Sequence, residues 1–301
     1  MKKTLAMMTA AMMVAGALAG CGSSGSTPTA TTAAATEKAT TAAATEAATD
    51  AATTEAAGDT AAAAEGTVKT PSGKFTVGFD QEFPPMGFVG DDGQFTGFDL
   101  DLAKEVASRL GLEFVPQPIN WDAKDMELDS GNIDCIWNGF TMQGREDAYT
   151  WVGPYMANNQ VFVVTADSDI ASKADLAGKA VEVQKDSSGL AALQGEAELS
   201  ASFGSMTEVA DYNTALMDLE SGACDAVCMD SIVAGYQIKS SGKDMKILDD
   251  TLAAEEYGIG FKKGEDELAK AVYDTLMAMK DDGTVAKISN DWFGSDVFTL
   301  K

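Results

Sequence analysis

Histidine is absent from this 301-residue chain, and cysteine occurs only four times. Without histidine, the mixed cysteine–histidine metal sites are excluded, and we expect neither a metal nor a cofactor. Cys224 and Cys228 fall on one predicted strand, about 13 Å apart at the usual rise per residue, which is too far for a disulfide between them. We therefore expect Cys135, Cys224 and Cys228 to be buried as small apolar side chains.

Positive charge is also scarce in this chain. Lysine and arginine number 21 against 47 aspartates and glutamates, which gives a formal net charge of -26 at pH 7. An acidic surface of this size repels the phosphates of nucleic acids and anionic lipid headgroups. We expect no nucleic-acid partner.

Long apolar runs are missing beyond the start of the chain. Lys2 and Lys3 precede an uncharged apolar run over residues 5–18, and small residues then lead to Cys21. A basic head, a short apolar segment and small residues before a cut site are typical of a secretory signal peptide. A cysteine at that position resembles a bacterial lipobox, which implies lipidation of Cys21. We therefore expect a signal peptide over residues 1–20 and a protein held outside the membrane by acyl chains.

Residues 21–70 contain no aromatic side chain and consist almost entirely of Ala, Thr, Ser, Gly and Glu. Such a segment cannot bury enough apolar surface to offset its chain entropy. It is predicted to be a disordered tether between the lipidated cysteine and the folded part.

One short sequence unit occurs twice in the part of the chain that is predicted to fold. Residues 128–145 read LDSGNIDCIWNGFTMQGR, and residues 219–230 read LESGACDAVCMD. In each copy a predicted helix stops at a glycine (Gly131, Gly222), and an aspartate (Asp134, Asp225) opens a short apolar strand. Two copies indicate two similar lobes, each presenting a strand end to a ligand between them. The alternative is chance identity over twelve positions.

Strands alternate with helices along the rest of the chain, which predicts an α/β protein with mainly parallel sheets. Residues 75–79 alternate apolar and small side chains as a strand does, and residues 99–110 have an apolar residue at every fourth position, as in a helix that ends at Gly111. Near the C-terminal end, residues 245–248 and 257–261 are predicted as two separate extended runs. Residues 265–280 form a predicted long helix.

Seven ordered motifs between residues 74 and 294 carry a resemblance to a known family. They include VGFDQEFPPMGF (77–88), TGFDLDLAKEVASRLG (96–111), LDSGNIDCIWNGFT (128–141) and CDAVCMD (224–230). These residues resemble the bacterial extracellular solute-binding protein family 3, the amino-acid receptors of ABC importers, which have the type II periplasmic-binding fold. The resemblance implies a first lobe of residues 71–157 plus 256–301, a second lobe of residues 158–255, and two hinge strands between them.

The resemblance also implies a set of ligand-binding residues. Arg145 matches the arginine that grips the ligand carboxylate, Asp230 matches the aspartate that takes the ammonium, and Asp80 is similar to a second acid. Phe83 and Trp121 match two aromatic residues that sandwich the ligand. Asn138 and Gly139 match residues that offer backbone groups, and Thr141 matches one that offers a hydroxyl. Gln184, Ser187 and Ser188 are similar to a loop whose amides open a helix.

Several of these residues also have a purely structural interpretation. Asp230, Ser187 and Ser188 are at positions where they would cap helices, and Phe83 and Trp121 would serve equally well in the core. The chain also departs from the family pattern. The spacing from Thr141 to Arg145 is one residue shorter than usual, Asp186 stands where glycine is common, and Lys124 stands where apolar residues are common.

The sequence therefore favours a lipid-anchored receptor that binds a free amino acid and delivers it to a membrane permease. We expect it to be a monomer. The first alternative is an enzyme on the same fold, similar to cyclohexadienyl dehydratase, with Asp80 or Glu82 as general acid. The second is a ligand-sensing receptor that signals through a separate partner.

Overall fold

The structure is a computed structural model that describes Thr70 and residues 72–301. The expected signal peptide, the expected lipid anchor at Cys21 and the tether up to residue 69 lie outside the described residues. No helix in the described part of the chain is long and apolar enough to cross a membrane.

Eleven strands occur in the described residues, and eight of them share one mixed sheet in the order β5-β1-β6-β11-β7-β10-β8-β9. The other three, β2, β3 and β4, form a small antiparallel sheet. The strands are β1 (Lys74–Phe79), β2 (Glu82–Phe83), β3 (Gly87–Val89), β4 (Phe95–Thr96), β5 (Glu113–Pro118), β6 (Cys135–Thr141), β7 (Tyr149–Thr165), β8 (Ala180–Gln184), β9 (Ser205–Val209), β10 (Ala226–Asp230) and β11 (Met245–Lys262).

Two long antiparallel strands, β7 and β11, form the centre of the large sheet. Residues 257–261 of β11 pair with β6, and residues 160–163 of β7 pair with β10. Within the sheet, the strands β5, β1 and β6 therefore meet the strands β10, β8 and β9 only through β7 and β11. We call these groups, with the helices and loops that follow their strands, the β1 side and the β8 side.

Eight α-helices accompany the strands in the described residues. They are α1 (Phe98–Leu110), α2 (Lys124–Asp129), α3 (Ser188–Gly195), α4 (Ala197–Ser202), α5 (Tyr212–Ser221), α6 (Ser231–Ser241), α7 (Asp266–Asp281) and α8 (Thr284–Phe293). Helix α1 shows why the sequence prediction worked: Leu102 and Val106 are fully buried, and Gly111 ends the helix at a φ of 70°. Glycine adopts this left-handed conformation without the Cβ clash of other residues.

The structure contains both copies of the repeated unit, and the two copies make equivalent hydrogen bonds. In both copies a helix (α2, α5) is followed by a left-handed glycine and then by a buried strand (β6, β10). The carboxylate of Asp134 accepts from the N–H of Thr76 at 2.6 Å, and that of Asp225 accepts from the N–H of Ala180 at 2.8 Å. Each aspartate thus joins its own strand to the neighbouring parallel strand, β1 or β8.

Buried apolar side chains from both sides of the sheet form the core. The three cysteines of the described part are free and buried, as predicted, and burial raises the pKa of each thiol. Cys135 and Cys228 are completely buried within strands β6 and β10. They act as small packing residues.

The separate extended runs predicted at 245–248 and 257–261 are one continuous strand, β11, with register shifts along it. The intervening sequence, DDTLAAEE, contains four acids and no apolar alternation, so propensity argues against a strand there. Backbone pairing with β7 holds it extended, because ladder hydrogen bonds need no particular side chain. The prediction of two separate runs was therefore wrong.

Candidate functional site

Strand ends from both sides of the sheet converge on one cleft. Asp80 follows β1 and Gln184 ends β8, and the amide of Gln184 donates to Asp80 Oδ2 at 2.7 Å. Asp80 is 6% exposed, and burial raises its pKa to about 6 despite hydrogen bonds from Glu82 and Gln184. The sequence prediction brought these two residues to one site, and the structure places them in contact.

Arg145 lies at another part of the cleft, on the loop between β6 and β7. Its N–H donates to Met142 O at 3.0 Å, so the shortened loop closes as a tight turn. The guanidinium donates to Thr141 O and to Asp186 O, each at 3.2 Å, and lies 5.1 Å from the ring centre of Phe140. Among the described residues, no carboxylate forms a salt bridge with Arg145, so its charge is not neutralised by the protein.

A second cation, Lys124, lies beside Arg145. Lys124 is 1% exposed, and its ammonium pairs with the carboxylate of Asp186. It also lies 3.4 Å from the carbonyl oxygens of Trp121 and Asp186. Burial lowers the pKa of Lys124, and the contact with Asp186 opposes that effect. Asp186 has a φ of 55°, the only positive φ outside glycine in the described chain, as expected from its glycine-like position.

Ser187 and Ser188 open helix α3 in different ways. Ser187 is the N-cap, because its hydroxyl accepts from the N–H of Leu190 at 3.0 Å. The hydroxyl of Ser188 instead receives hydrogen bonds from Thr141 at 3.2 Å and from the amide of Gln160 at 3.1 Å. The capping interpretation thus holds for Ser187, whereas Ser188 joins the β1 side to the β8 side.

Asp230 stands at the N-cap position of α6, but its side chain makes no capping hydrogen bond. Its Oδ1 accepts from the hydroxyl of Tyr257 at 2.6 Å and from the amide of Asn158 at 2.8 Å, while Tyr212 donates to Oδ2 at 3.3 Å. The side chain of Asp230 therefore does not cap helix α6. The carboxylate is 3% exposed and held by three donors.

Glu255 is a second buried acid beside Asp230, and the sequence analysis missed it. The amide of Asn158 donates to both acids, reaching Glu255 Oε1 at 2.5 Å, and Gln160 donates to the same oxygen at 2.9 Å. Burial raises the pKa of Asp230 well above its usual value, and the negative charge of Glu255 raises it further. Like charges that share one amide cannot both ionise cheaply without a nearby cation.

Three predicted positions have side chains or backbone groups already engaged within the protein. Asn138 Oδ1 accepts from the N–H of Asp80 at 3.0 Å, and the N–H of Gly139 donates to Asp99 Oδ2 at 2.7 Å. The ring of Phe83 packs against that of Tyr212 with centroids 5.9 Å apart. Their roles in ligand binding stay predictions, and for Gly139 the carbonyl is the backbone group left for a ligand.

Gly139 has a second role that only glycine can fill. Its φ is 56°, and a Cβ there would lie 2.9 Å from the ring of Phe83 and 3.1 Å from that of Tyr257. The glycine in the middle of strand β6 therefore lets two aromatic rings approach the backbone at the cleft.

The open part of the cleft has a volume of about 890 Å³ and is bounded by both sides of the sheet. The β1 side contributes Asp80, Glu82 and Trp121. The β8 side contributes Lys185, Asp211 and Asn213. Lys185 is already paired with Asp122 at 2.6 Å. A cavity of this size suits a small organic ligand.

Asn158, Tyr212 and Tyr257 also shape the site, and the sequence analysis did not single them out. Tyr257 was placed on an extended run but given no role, and Asn158 lies in β7 with no motif around it. The one available signal for Glu255 was the acid-rich segment before Tyr257, which gave no reason to expect burial. No group of three metal-ligating side chains with suitable geometry occurs among residues 72–301.

The fold and the cleft together define a solute-binding protein that holds a small molecule at the strand ends of a mixed sheet. The chain belongs to the bacterial extracellular solute-binding proteins, family 3, whose model matches residues 75–295. As a member of that family it is an extracytoplasmic binding protein and not an enzyme.

Among its relatives is the L-cystine-binding protein TcyJ of Escherichia coli, 31% identical over 231 residues, covering 75% of this chain and 84% of that protein. The L-cystine-binding protein TcyA of Bacillus subtilis is 32% identical over 229 residues, and the match covers 75% of this chain and 83% of that protein. The chain is also similar to a solved structure, that of a substrate-binding protein of an ABC uptake transporter from Streptococcus pneumoniae with bound histidine. The TM-score is 0.73 at 34% identity, and the match covers 76% of this chain and 96% of that chain. The chain is similar to these proteins over nearly their full length.

Proposed function

We propose that the chain is a receptor that binds one free amino acid in the cleft and delivers it to the permease of an ABC importer. The observation that carries this proposal is the separation of charge within one site. Arg145 has no acidic partner among the described residues, and Asp230 and Glu255 are buried together without a cation. A free amino acid offers one carboxylate, which Arg145 can bind, and one ammonium, which the Asp230–Glu255 pair can bind.

Each residue then has a defined task. Arg145 binds the ligand carboxylate with two parallel N–H groups, because a planar guanidinium fits a carboxylate in that way. Asp230 binds the ammonium, with Tyr257 and Asn158 holding its carboxylate in place. Trp121 and Phe83 add apolar contact and cation–π attraction to the bound molecule.

Ligand binding is coupled to the approach of two lobes, residues 71–157 plus 256–301 and residues 158–255, about the strands β7 and β11. Contacts between the β1 side and the β8 side support this proposal. Gln184 reaches Asp80, and Thr141 reaches Ser188 at 3.2 Å. A ligand that touches both sides stabilises the closed form, since it gains its full set of contacts only there.

The membrane attachment is a separate part of the proposal. Lipidation of Cys21 and removal of residues 1–20 would keep the receptor at the outer face of the cell membrane, near the permease. Intact-mass analysis of the protein from membranes tests this directly. The expected result is a mass lacking residues 1–20 and carrying acyl chains, with Cys21→Ala giving a product without the acyl mass. Wild-type protein from membranes that carries no acyl mass would contradict the anchor.

Calorimetric titration of the purified full-length chain with the twenty amino acids and L-cystine tests the binding function. At least one should bind with a 1:1 stoichiometry and an affinity in the micromolar range or tighter, roughly -8 kcal/mol. Asp230→Asn should weaken that binding, since it removes the charge that receives the ammonium. Absence of binding by every compound would overturn the proposal.

A further inference from the structure

Glu255 lies on the central strand β11, directly across from Asn158 of β7 in the strand pairing. It is 5% exposed, and Asp230 at the end of β10 is 3% exposed. Gln160 of β7 is in register with Asp230. Three neighbouring strands thus bring two carboxyl groups and two amides into one buried cluster.

The two amides of this cluster are oriented so that both donate to Glu255. Asn158 donates to Glu255 Oε1 at 2.5 Å, and Gln160 donates to the same oxygen at 2.9 Å. The N–H of Ile232 donates to Asn158 Oδ1 at 3.3 Å, which fixes that amide with its nitrogen toward the acids. The same nitrogen donates to Asp230 Oδ1 at 2.8 Å. Glu255 therefore holds the amide that holds the acid proposed to bind the ligand ammonium.

The two acids of the cluster are in contact, and their surroundings are neutral. Burial raises the pKa of Asp230 well above its usual value, and the charge of Glu255 and a hydrogen bond between the two carboxyl groups raise it further. The titratable groups around the pair are Tyr212 of α5, Tyr257 of β11 and Cys228 of β10. Burial raises the pKa of each of these three groups, so all of them are uncharged near neutral pH. Neither acid forms a salt bridge in the described part of the chain.

A hydrogen bond between two carboxyl groups needs a proton on one of them. Two buried carboxylates at this contact would repel each other, so the pair by itself is expected to keep one proton and one negative charge. A ligand ammonium at Asp230 is a nearby cation, and a nearby cation favours the ionised forms of both acids. Exchange of the proton for the ammonium leaves the total charge of the cluster unchanged.

We propose that Glu255 is a positioning residue for Asp230, and that the two acids share one proton that the ligand ammonium replaces. This inference rests on the proposed function of amino-acid binding. The proton passes to the solvent when the ammonium enters, and it returns to the pair when the ligand leaves. Ligand affinity therefore rises with pH until the pair has lost its proton without the help of the ligand.

Calorimetric titration of the purified full-length chain at pH 7.5 counts the protons that binding releases, when it is repeated in buffers of different ionisation enthalpy. The ligand is the best-binding compound among the twenty amino acids and L-cystine. Asp80 has a pKa of about 6, so it is already ionised at this pH and does not contribute. The wild type should release about one proton for each ligand bound. Binding without proton release would overturn this inference and leave the proposed function intact, whereas binding of none of the compounds would overturn both.

Glu255→Gln separates the shared proton from the packing. The amide oxygen of the variant can accept from Asn158 and Gln160, and its nitrogen can donate to Asp230 in place of the shared proton. The variant should release less than about half as many protons as the wild type. Its affinity should change by less than about threefold between pH 7 and pH 8.5, where the wild type should gain about tenfold. A purely structural role of Glu255 would leave the proton count the same in both proteins and would overturn the proposal.

Glu256→Gln is the matched control, because it removes one negative charge from the next residue of the same strand, whose side chain is exposed. It should release as many protons as the wild type. Infrared difference spectra of the wild type test the same step without any variant. They should show a protonated carboxyl band disappear and a carboxylate band appear when the ligand binds. Spectra in which no protonated carboxyl is lost would overturn the proposal.

Discussion

Lys124 and Asp186 form an ion pair that joins the β1 side of the sheet to the β8 side. Both residues are departures from the family pattern, and the structure shows that they are partners. The lysine ammonium is almost fully buried, with 2% of its side chain exposed, while 53% of the Asp186 side chain is exposed. Each residue alone looks unfavourable, since one buries a charge and the other occupies a left-handed conformation. Together they place a neutral pair beside Arg145.

A double-mutant cycle should show that these two residues depend on each other. Lys124→Met and Asp186→Asn should each weaken ligand binding, and the double variant should lose less than the sum, with a coupling free energy of about 1–2 kcal/mol. The partly exposed Asp186 keeps this value well below that of a buried pair. Asp122→Asn with Lys185→Met is the matched control, because its partners are 39% and 44% exposed and should couple by under about 1 kcal/mol. Additive losses for Lys124 and Asp186 would contradict the account. Calorimetry measures all four affinities.

Ligand affinity should fall as the pH drops through about 6. Burial raises the pKa of Asp80 to about 6, and burial with the nearby Glu255 charge raises that of Asp230. Protonated acids bind a cation poorly, so the ligand favours the ionised forms and releases protons when it binds. The dependence should approach tenfold per pH unit for each acid that titrates. Titrations at pH 6 in buffers of different ionisation enthalpy measure the released protons, and Asp80→Asn should release fewer. Binding heats that do not depend on the ionisation enthalpy of the buffer would show that ligand binding releases no protons.

Asp99 should make the folded state less stable as the pH rises from about 4 to about 7. It is fully buried, and burial raises its pKa to about 7, against the hydrogen bonds from Tyr155 and Gly139. The folded state holds the proton over a range where the unfolded state, with a pKa near 3.9, has lost it. The unfolding free energy therefore falls across that range, by up to about 4 kcal/mol from this group.

Denaturant unfolding of the wild type and Asp99→Asn at pH 5 and pH 7.5 measures that effect. The variant should lose much less stability than the wild type between the two pH values, because an amide does not titrate. Tyr155 and Gly139 both donate to Asp99 Oδ2, and the amide oxygen of asparagine can still accept there. The same pH dependence in both proteins would show that Asp99 does not titrate in this range.

Much of the fold could be predicted because its local signals repeat. The helix–glycine–aspartate–strand unit appears twice. In each copy its aspartate, Asp134 or Asp225, accepts a hydrogen bond from the backbone of the neighbouring parallel strand. Glycine positions and apolar periods predicted the ends of β1, α1 and α7 to within one residue. The same logic failed across 248–257, where strand β11 is held by its neighbour rather than by its own side chains.

The site was predictable only where a motif carries it. Arg145, Asp230 and Asp80 stand in recognisable stretches, but Glu255 lies in an acidic run that reads as solvent-exposed. Its burial follows from the pairing of β11 with β7, which places it beside Asn158, a relationship separated by 97 residues in the chain. The pairing of Lys124 with Asp186 likewise depends on the tertiary fold, which brings the start of helix α2 to the loop after β8.

The most direct test is a titration that removes the ligand carboxylate and its partner separately. The best-binding amino acid and its α-carboxamide are titrated into the wild type and into Arg145→Ala. Loss of the ligand carboxylate should cost the wild type about 2–5 kcal/mol, and Arg145→Ala should weaken binding of the amino acid by a similar amount. Arg145→Ala should bind the carboxamide about as well as the wild type does. If Arg145→Ala binds the amino acid with unchanged affinity, or loses equal affinity for both compounds, Arg145 does not bind the carboxylate.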